Sequence, residues 1–119
     1  MGAVPGLVFL GTEASGVSRY CAPIFSNYEL SSEAVFFGTN STSAIPTSIG
    51  YSIFGVYFVL DGAALNIGYI IPQQTGSAEG AISYLGQPVS AGTHSLSACW
   101  YGRGLNTPWL TQISVAIIQ

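Results

Sequence analysis

Charge is what this sequence has least of. Among 119 residues there is no lysine, the basic side chains are Arg19, Arg103 and the single histidine His94, and charged types make up 6%, where an ordinary soluble domain carries about a quarter. With a formal charge of -3, the chain cannot neutralise a row of phosphates, so nucleic acid is not an expected partner. Long apolar runs are missing too. The longest, from Ile53 to Leu60, is interrupted by Gly55 and ends at Asp61, well short of the ~20 residues that cross a bilayer, so no membrane span is expected. The first ten residues lack the positive start and extended apolar stretch of a secretory signal, and Gly6 stands where a myristoylation motif wants serine or threonine. Neither export nor acylation is expected. Cysteine is limited to Cys21 and Cys99. Bridged, they would close most of the chain into one loop; without an export signal the reading favours two buried free thiols, since cysteine behaves as a small hydrophobe.

The residues that carry chemistry are equally sparse. Nucleophilic catalysis needs a base beside the nucleophile and a group that orients it. His94 shares a strand face with Leu96 and Trp100, so it reads as a hydrogen-bonded core or edge residue. The five carboxylates, Glu13, Glu29, Glu33, Asp61 and Glu79, are scattered and form no glycosidase pair. Glu29 and Glu33 have helical spacing and read as solvated surface; Asp61 is explained by a turn. Neither a Cys/His zinc spacing nor an EF-hand loop exists, and Gly102-Arg103-Gly104 lacks the context of a phosphate-binding loop. No catalytic residue, metal ligand or cofactor site is expected, and the protein is read as a non-enzyme. Asn40-Ser41-Thr42 matches a glycosylation acceptor and, with no export signal, is read as a chance match.

Against these absences stand 49% apolar residues and a mean hydropathy of +0.48, enough for one packed domain over 1–119. The dominant period is two. In 93–101, His94, Leu96, Ala98 and Trp100 fall on one face; in 109–118, Trp109, Ile113, Val115 and Ile117 do the same. These residues, with Trp100 and Trp109 among them, form the expected core. Residues 52–60 are apolar on both faces and read as a central strand, and Asp61-Gly62 returns the chain into 65–71 as a hairpin that Pro72 ends. Further strands are expected at 7–10, 34–37 and 81–85, and one helical turn or a loop at 27–33. Seven or eight short strands with frequent turn signals predict an all-β antiparallel sandwich of jelly-roll type.

The run from Pro88 to Trp100, with its Ala91-Gly92-Thr93-His94 turn entering a strand, is followed by a Gly-rich loop and a last strand over 110–118. Together with the Tyr57-to-Gly62 hairpin it resembles the closing portion of small β-sandwich proteins of bacteriophage virions, with jelly-roll or tumour-necrosis-factor-like topology. The resemblance covers roughly 51–118. It implies a capsid decoration or cement protein on the virion surface, made in the host cytoplasm, whose partners are its own copies in a homotrimer and the major capsid or another virion protein. The absence of repeats, heptads or a shaft favours this over the receptor- or glycan-binding head of a fibre or spike; an extracellular adhesin or pilus-like subunit is a further alternative. A surface without lysine leaves sheet edges unprotected, which fits a subunit covered by others. Tyr51, Tyr57 and Tyr69, at alternating strand positions, are the expected oligomer contacts. Under the glycan-binding alternative, Tyr101 and Trp109 are the expected ligand contacts.

Overall fold

A computed structural model of the chain describes residues 8–12, 17–44, 54–70, 79–103 and 109–119. Eight strands account for nearly all of them: β1 (Val8–Thr12), β2 (Val17–Leu30), β3 (Ala34–Ala44), β4 (Phe54–Leu60), β5 (Ala63–Ile70), β6 (Glu79–Val89), β7 (Gly92–Arg103) and β8 (Trp109–Ile118). They form a five-stranded sheet in the order β1-β2-β7-β4-β5 and a three-stranded sheet in the order β6-β3-β8, with every pairing antiparallel. Rolling up one long hairpin makes strand 2 pair with 7, 3 with 6 and 4 with 5. All three pairs are present, so the sandwich is of jelly-roll type. The outermost pair, 1 with 8, is replaced: β1 pairs with β2, and β8 has a strand partner on one side only among the described residues.

The core lies where the alternation places it. Leu96, Ala98 and Trp100 on β7 are fully buried between Phe54, Val56 and Phe58 of β4 and Phe36 of β3. Ile113, Val115 and Ile117 on β8 are partly buried against the same cluster, because β8 lies at the sheet edge. The hairpin turn at Asp61-Gly62 has φ of 51° and 85° at its two central residues, the primed geometry that matches strand twist and that Gly tolerates without cost.

Three expectations need correcting. Residues 27–30, expected in a helical turn or loop, belong to the longest strand, β2. The strand was hidden because its register shifts twice, between Pro23 and Phe25 and between Phe25 and Tyr28, and each bulge resets the period of two. Asn27, at φ 53°, is the residue that takes the left-handed conformation there. Strands β3 and β6 extend well beyond 34–37 and 81–85; in β3 the added inward positions are polar, since Asn40 and Thr42 are buried. The cysteines are not free thiols. Cys21 and Cys99 are directly opposite each other on β2 and β7, with Cα atoms 4.1 Å apart, and are joined in a disulfide.

The two sheets are tied at one side and through the middle. A bulge in β5 puts Asn66 at φ 52°, where its Nδ2 donates to the Tyr84 carbonyl at 2.8 Å and its own carbonyl accepts from the Ser83 hydroxyl. Close by, a Cβ on Gly68 would stand 1.9 Å from the Ile82 carbonyl oxygen, so only glycine lets β5 run this close to β6. In the interior, Trp100 Nε1 donates to Thr42 Oγ1 at 2.6 Å, Thr42 Oγ1 donates to Asn40 Oδ1 at 2.9 Å, and Asn40 Nδ2 reaches the carbonyls of Tyr57 and Cys99 at 3.4 Å each. Every member of this buried relay has a partner, as burial of polar groups requires.

Candidate functional surfaces

Among the described residues, a carboxylate meets the histidine at the end of the sandwich, at the β4–β5 and β6–β7 turns. Asp61 accepts from the Ser95 amide at 2.8 Å through Oδ1 and lies 2.6 Å from His94 Nδ1 through Oδ2. His94 Nε2 lies 2.8 Å from the Ser90 carbonyl oxygen. Both ring nitrogens face acceptors, an arrangement that favours the doubly protonated ring, which can donate to both. The hydrogen bond to Asp61 and then that to Ser90 raise the His94 pKa, and the same Asp61–His94 bond, followed by the Ser95 amide, lowers that of Asp61. A carbonyl on the second nitrogen occupies the position where a nucleophile would have to stand. The histidine ring packs edge-on to Phe36, 6.1 Å between centroids, and its chemistry is that of a clamp between two turns. Among the described residues, no three His, Cys, Asp or Glu side chains gather as a metal site. Asn40 is fully buried and inaccessible as a glycan acceptor in the folded chain.

Two sheet faces remain. On the outer face of the larger sheet, the register brings Tyr101 opposite both Arg19 and Gly55, and Gly55 opposite Tyr69. The Tyr101 ring lies over Gly55, where a Cβ would come within 2.1 Å of its Cε1; an aromatic ring on a neighbouring strand covers the glycine backbone. Tyr57 and Tyr101 stand 6.0 Å apart by ring centroids, the Arg19 guanidinium stacks 5.4 Å from the Tyr101 ring centre, and Arg19 Nη1 donates to the Tyr57 hydroxyl at 3.3 Å. Burial pushes the Tyr101 hydroxyl above its ordinary pKa of 10.0. Of the expected oligomer contacts, Tyr69 is 64% exposed while Tyr57 is buried, and Tyr51 lies outside the described residues. Of the two expected ligand contacts, Tyr101 belongs to this group, whereas Trp109 opens β8 in the other sheet opposite Ser43; its side chain lies outside the described residues. Thus the structure gathers Tyr57, Tyr69 and Tyr101 with Arg19, and leaves Trp109 apart.

The outer face of the smaller sheet was not singled out from the sequence. Its rows run Pro88–Val35–Ile118, Gly86–Phe37–Ala116, Tyr84–Thr39–Ser114 and Ile82–Ser41–Gln112 across β6, β3 and β8. None of these positions carries charge. Phe37, Ile82, Tyr84 and Ile118 are exposed, four of the seven exposed large hydrophobics among the described residues, so the apolar exposure is concentrated here. The signal was available in outline: alternation in 81–85 already put Ile82 and Tyr84 on the face opposite Ala81, Ser83 and Leu85. What was missing was which of the two faces is covered.

Comparison with known proteins found no matching family model, no matching curated protein and no matching solved structure. The class to which this chain belongs is therefore given by its fold, an all-β antiparallel sandwich of jelly-roll type.

Proposed function

We propose that this chain is a non-enzymatic structural subunit of a bacteriophage virion, a decoration or cement protein that binds the outside of a capsid and stabilises it. Its partners are other copies of itself, as a homotrimer, and the major capsid protein. The observation that carries the reading is the outer face of the smaller sheet: charge-free, with Phe37, Ile82, Tyr84 and Ile118 exposed. A chain that worked alone would rarely leave so much apolar surface together. The clamp made by both nitrogens of His94 supports the non-enzymatic part. Adding the purified protein to shells that lack it, and imaging the particles with and without it, tests the proposal; failure to bind any shell overturns it.

Two other readings have a specific observation each. The Tyr69, Tyr101 and Arg19 grouping favours a receptor- or glycan-binding head, since aromatic rings present flat apolar faces to sugars with polar groups at the rim. Glycan arrays with wild type, Tyr101→Ala and Trp109→Ala separate it. The Cys21–Cys99 disulfide favours an extracellular adhesin or pilus-like subunit, because such bonds persist in oxidising surroundings. Recovery of the protein from cell surfaces and its absence from particles would select that reading.

A further inference from the structure

We infer that the outer face of the smaller sheet packs against the same face of a second copy of this chain, about a two-fold axis. The inference rests on the assembly reading above and assigns the occupant of that face.

Charge points to a self-contact. In a two-fold contact, residues near the axis meet their own copies, so any charged side chain there faces a like charge, at a cost of several kcal/mol. The chain as a whole is acidic, with a formal charge of -3, and copies repel. Glu29 on β2 and Asp61 in the β4–β5 turn belong to the other sheet, Glu33 just before β3 borders one end of the face beside Val35, Pro88 and Ile118, and Glu79 opens β6 in register with Ala44 at the other end. Between those ends, the rows through Phe37, Thr39 and Ser41 carry no acidic residue, so two copies with a two-fold axis there approach without like charges meeting at the axis. A charged partner, by contrast, would find nothing here to read.

Shape and size agree. Phe37 projects between two small neighbours, Gly86 and Ala116, and grooves run on either side of it: one bounded by Tyr84, Thr39 and Ser114, the other by Ile67 and Ile82. Ridges and recesses therefore lie on one surface, which is what self-complementarity requires. Three strands ~4.8 Å apart and ten or eleven residues long at ~3.4 Å each give a face of roughly 14 by 36 Å, or about 500 Å² per copy. Two such faces bury about 1,000 Å², which reaches the threshold for a specific interface, and packed sheets stand ~10 Å apart with their side chains interleaved.

The test is the solution mass of the full chain by sedimentation at tens of micromolar, for wild type, Phe37→Asp and Tyr84→Lys, at low salt and at about 1 M salt. The expected result is a wild-type mass that is an even multiple of 12.4 kDa, insensitive to salt, and halved in each variant while the far-UV circular dichroism is unchanged. Halving is the signature of one lost two-fold contact, whatever contacts exist elsewhere. Tyr84 is 62% exposed, so Tyr84→Lys decides the matter if Phe37→Asp does not fold. A monomeric wild type, or an assembly of the same mass in wild type and variant, overturns the inference. Shell binding separates it from the reading it rests on: a monomer whose shell binding is abolished by Tyr84→Lys assigns the face to the shell and overturns only the self-contact. A mass that halves in a protein that binds no shell leaves the self-contact standing and the decoration reading refuted.

Discussion

Thr42→Val removes one hydroxyl from the centre of the sandwich and nothing of its shape. In the native chain that hydroxyl accepts from Trp100 Nε1 and donates to Asn40 Oδ1, with all three residues at 2% exposure or less. Replacing it with a methyl group strands the indole N–H and one acceptor of the Asn40 amide together. Each unsatisfied buried group costs about 1–3 kcal/mol, so the substitution should destabilise the fold by about 2–6 kcal/mol. A domain of this size has about 6–18 kcal/mol in total. Thr42→Ser provides the contrast, since it keeps the hydroxyl and loses only a methyl group, at about 1 kcal/mol. Urea denaturation, with the slope checked to be common to all three proteins, should rank wild type above Thr42→Ser and Thr42→Ser above Thr42→Val. If Thr42→Val falls within about 0.5 kcal/mol of wild type, or is more stable than Thr42→Ser, the relay does not hold the sheets as described.

Three further outcomes follow from the geometry. The raised pKa of His94 contributes stability that is present below its ordinary value of 6.5 and is lost as pH rises through the folded value, and the lowered pKa of Asp61 contributes stability that is lost as pH falls below 3.8 toward its folded value. Thermal melting should therefore show a plateau between those limits, and His94→Gln should abolish the decline on the alkaline side; a decline unaltered by the substitution would refute the clamp. Intact mass spectrometry should show the Cys21–Cys99 bridge, and reduction should lower stability by about 4 kcal/mol on the chain-entropy argument for a separation of 78 residues. An unchanged melting temperature after verified reduction would count against that magnitude. Gly68→Ala puts a methyl group against the Ile82 carbonyl and should destabilise the fold, where alanine in place of an ordinary strand glycine stabilises by about 0.5–1 kcal/mol, measured by the same urea titration; a neutral or stabilising result would mean that β5 does not close on β6 as described.

The sequence by itself determined what period and composition can carry. Alternation placed β7 and β8 with their core faces, and Asp61-Gly62 placed the β4–β5 hairpin, because turn chemistry and period two are local properties. The shortage of charge led to the expectation of an assembly with Tyr51, Tyr57 and Tyr69 as contacts, and the fold buries Tyr57 within the chain. The tertiary structure alone decided the pairings and what the faces meet. Cys21 and Cys99 are bonded because β2 and β7 run in register, which nothing in the spacing of two cysteines reveals. Asn40 and Thr42 looked like loop residues because their polarity breaks the alternation; only the arrival of Trp100 and the Tyr57 and Cys99 carbonyls from the other sheet makes them core. Tyr57, Tyr69 and Tyr101 share one surface because β5, β4 and β7 are neighbours. The apolar outer face of β6, β3 and β8 exists because three strands far apart in the chain turn the same side outward. In each case the missing information was long-range register, which is set by the cooperative packing of the whole sandwich and not by any local pattern of residues.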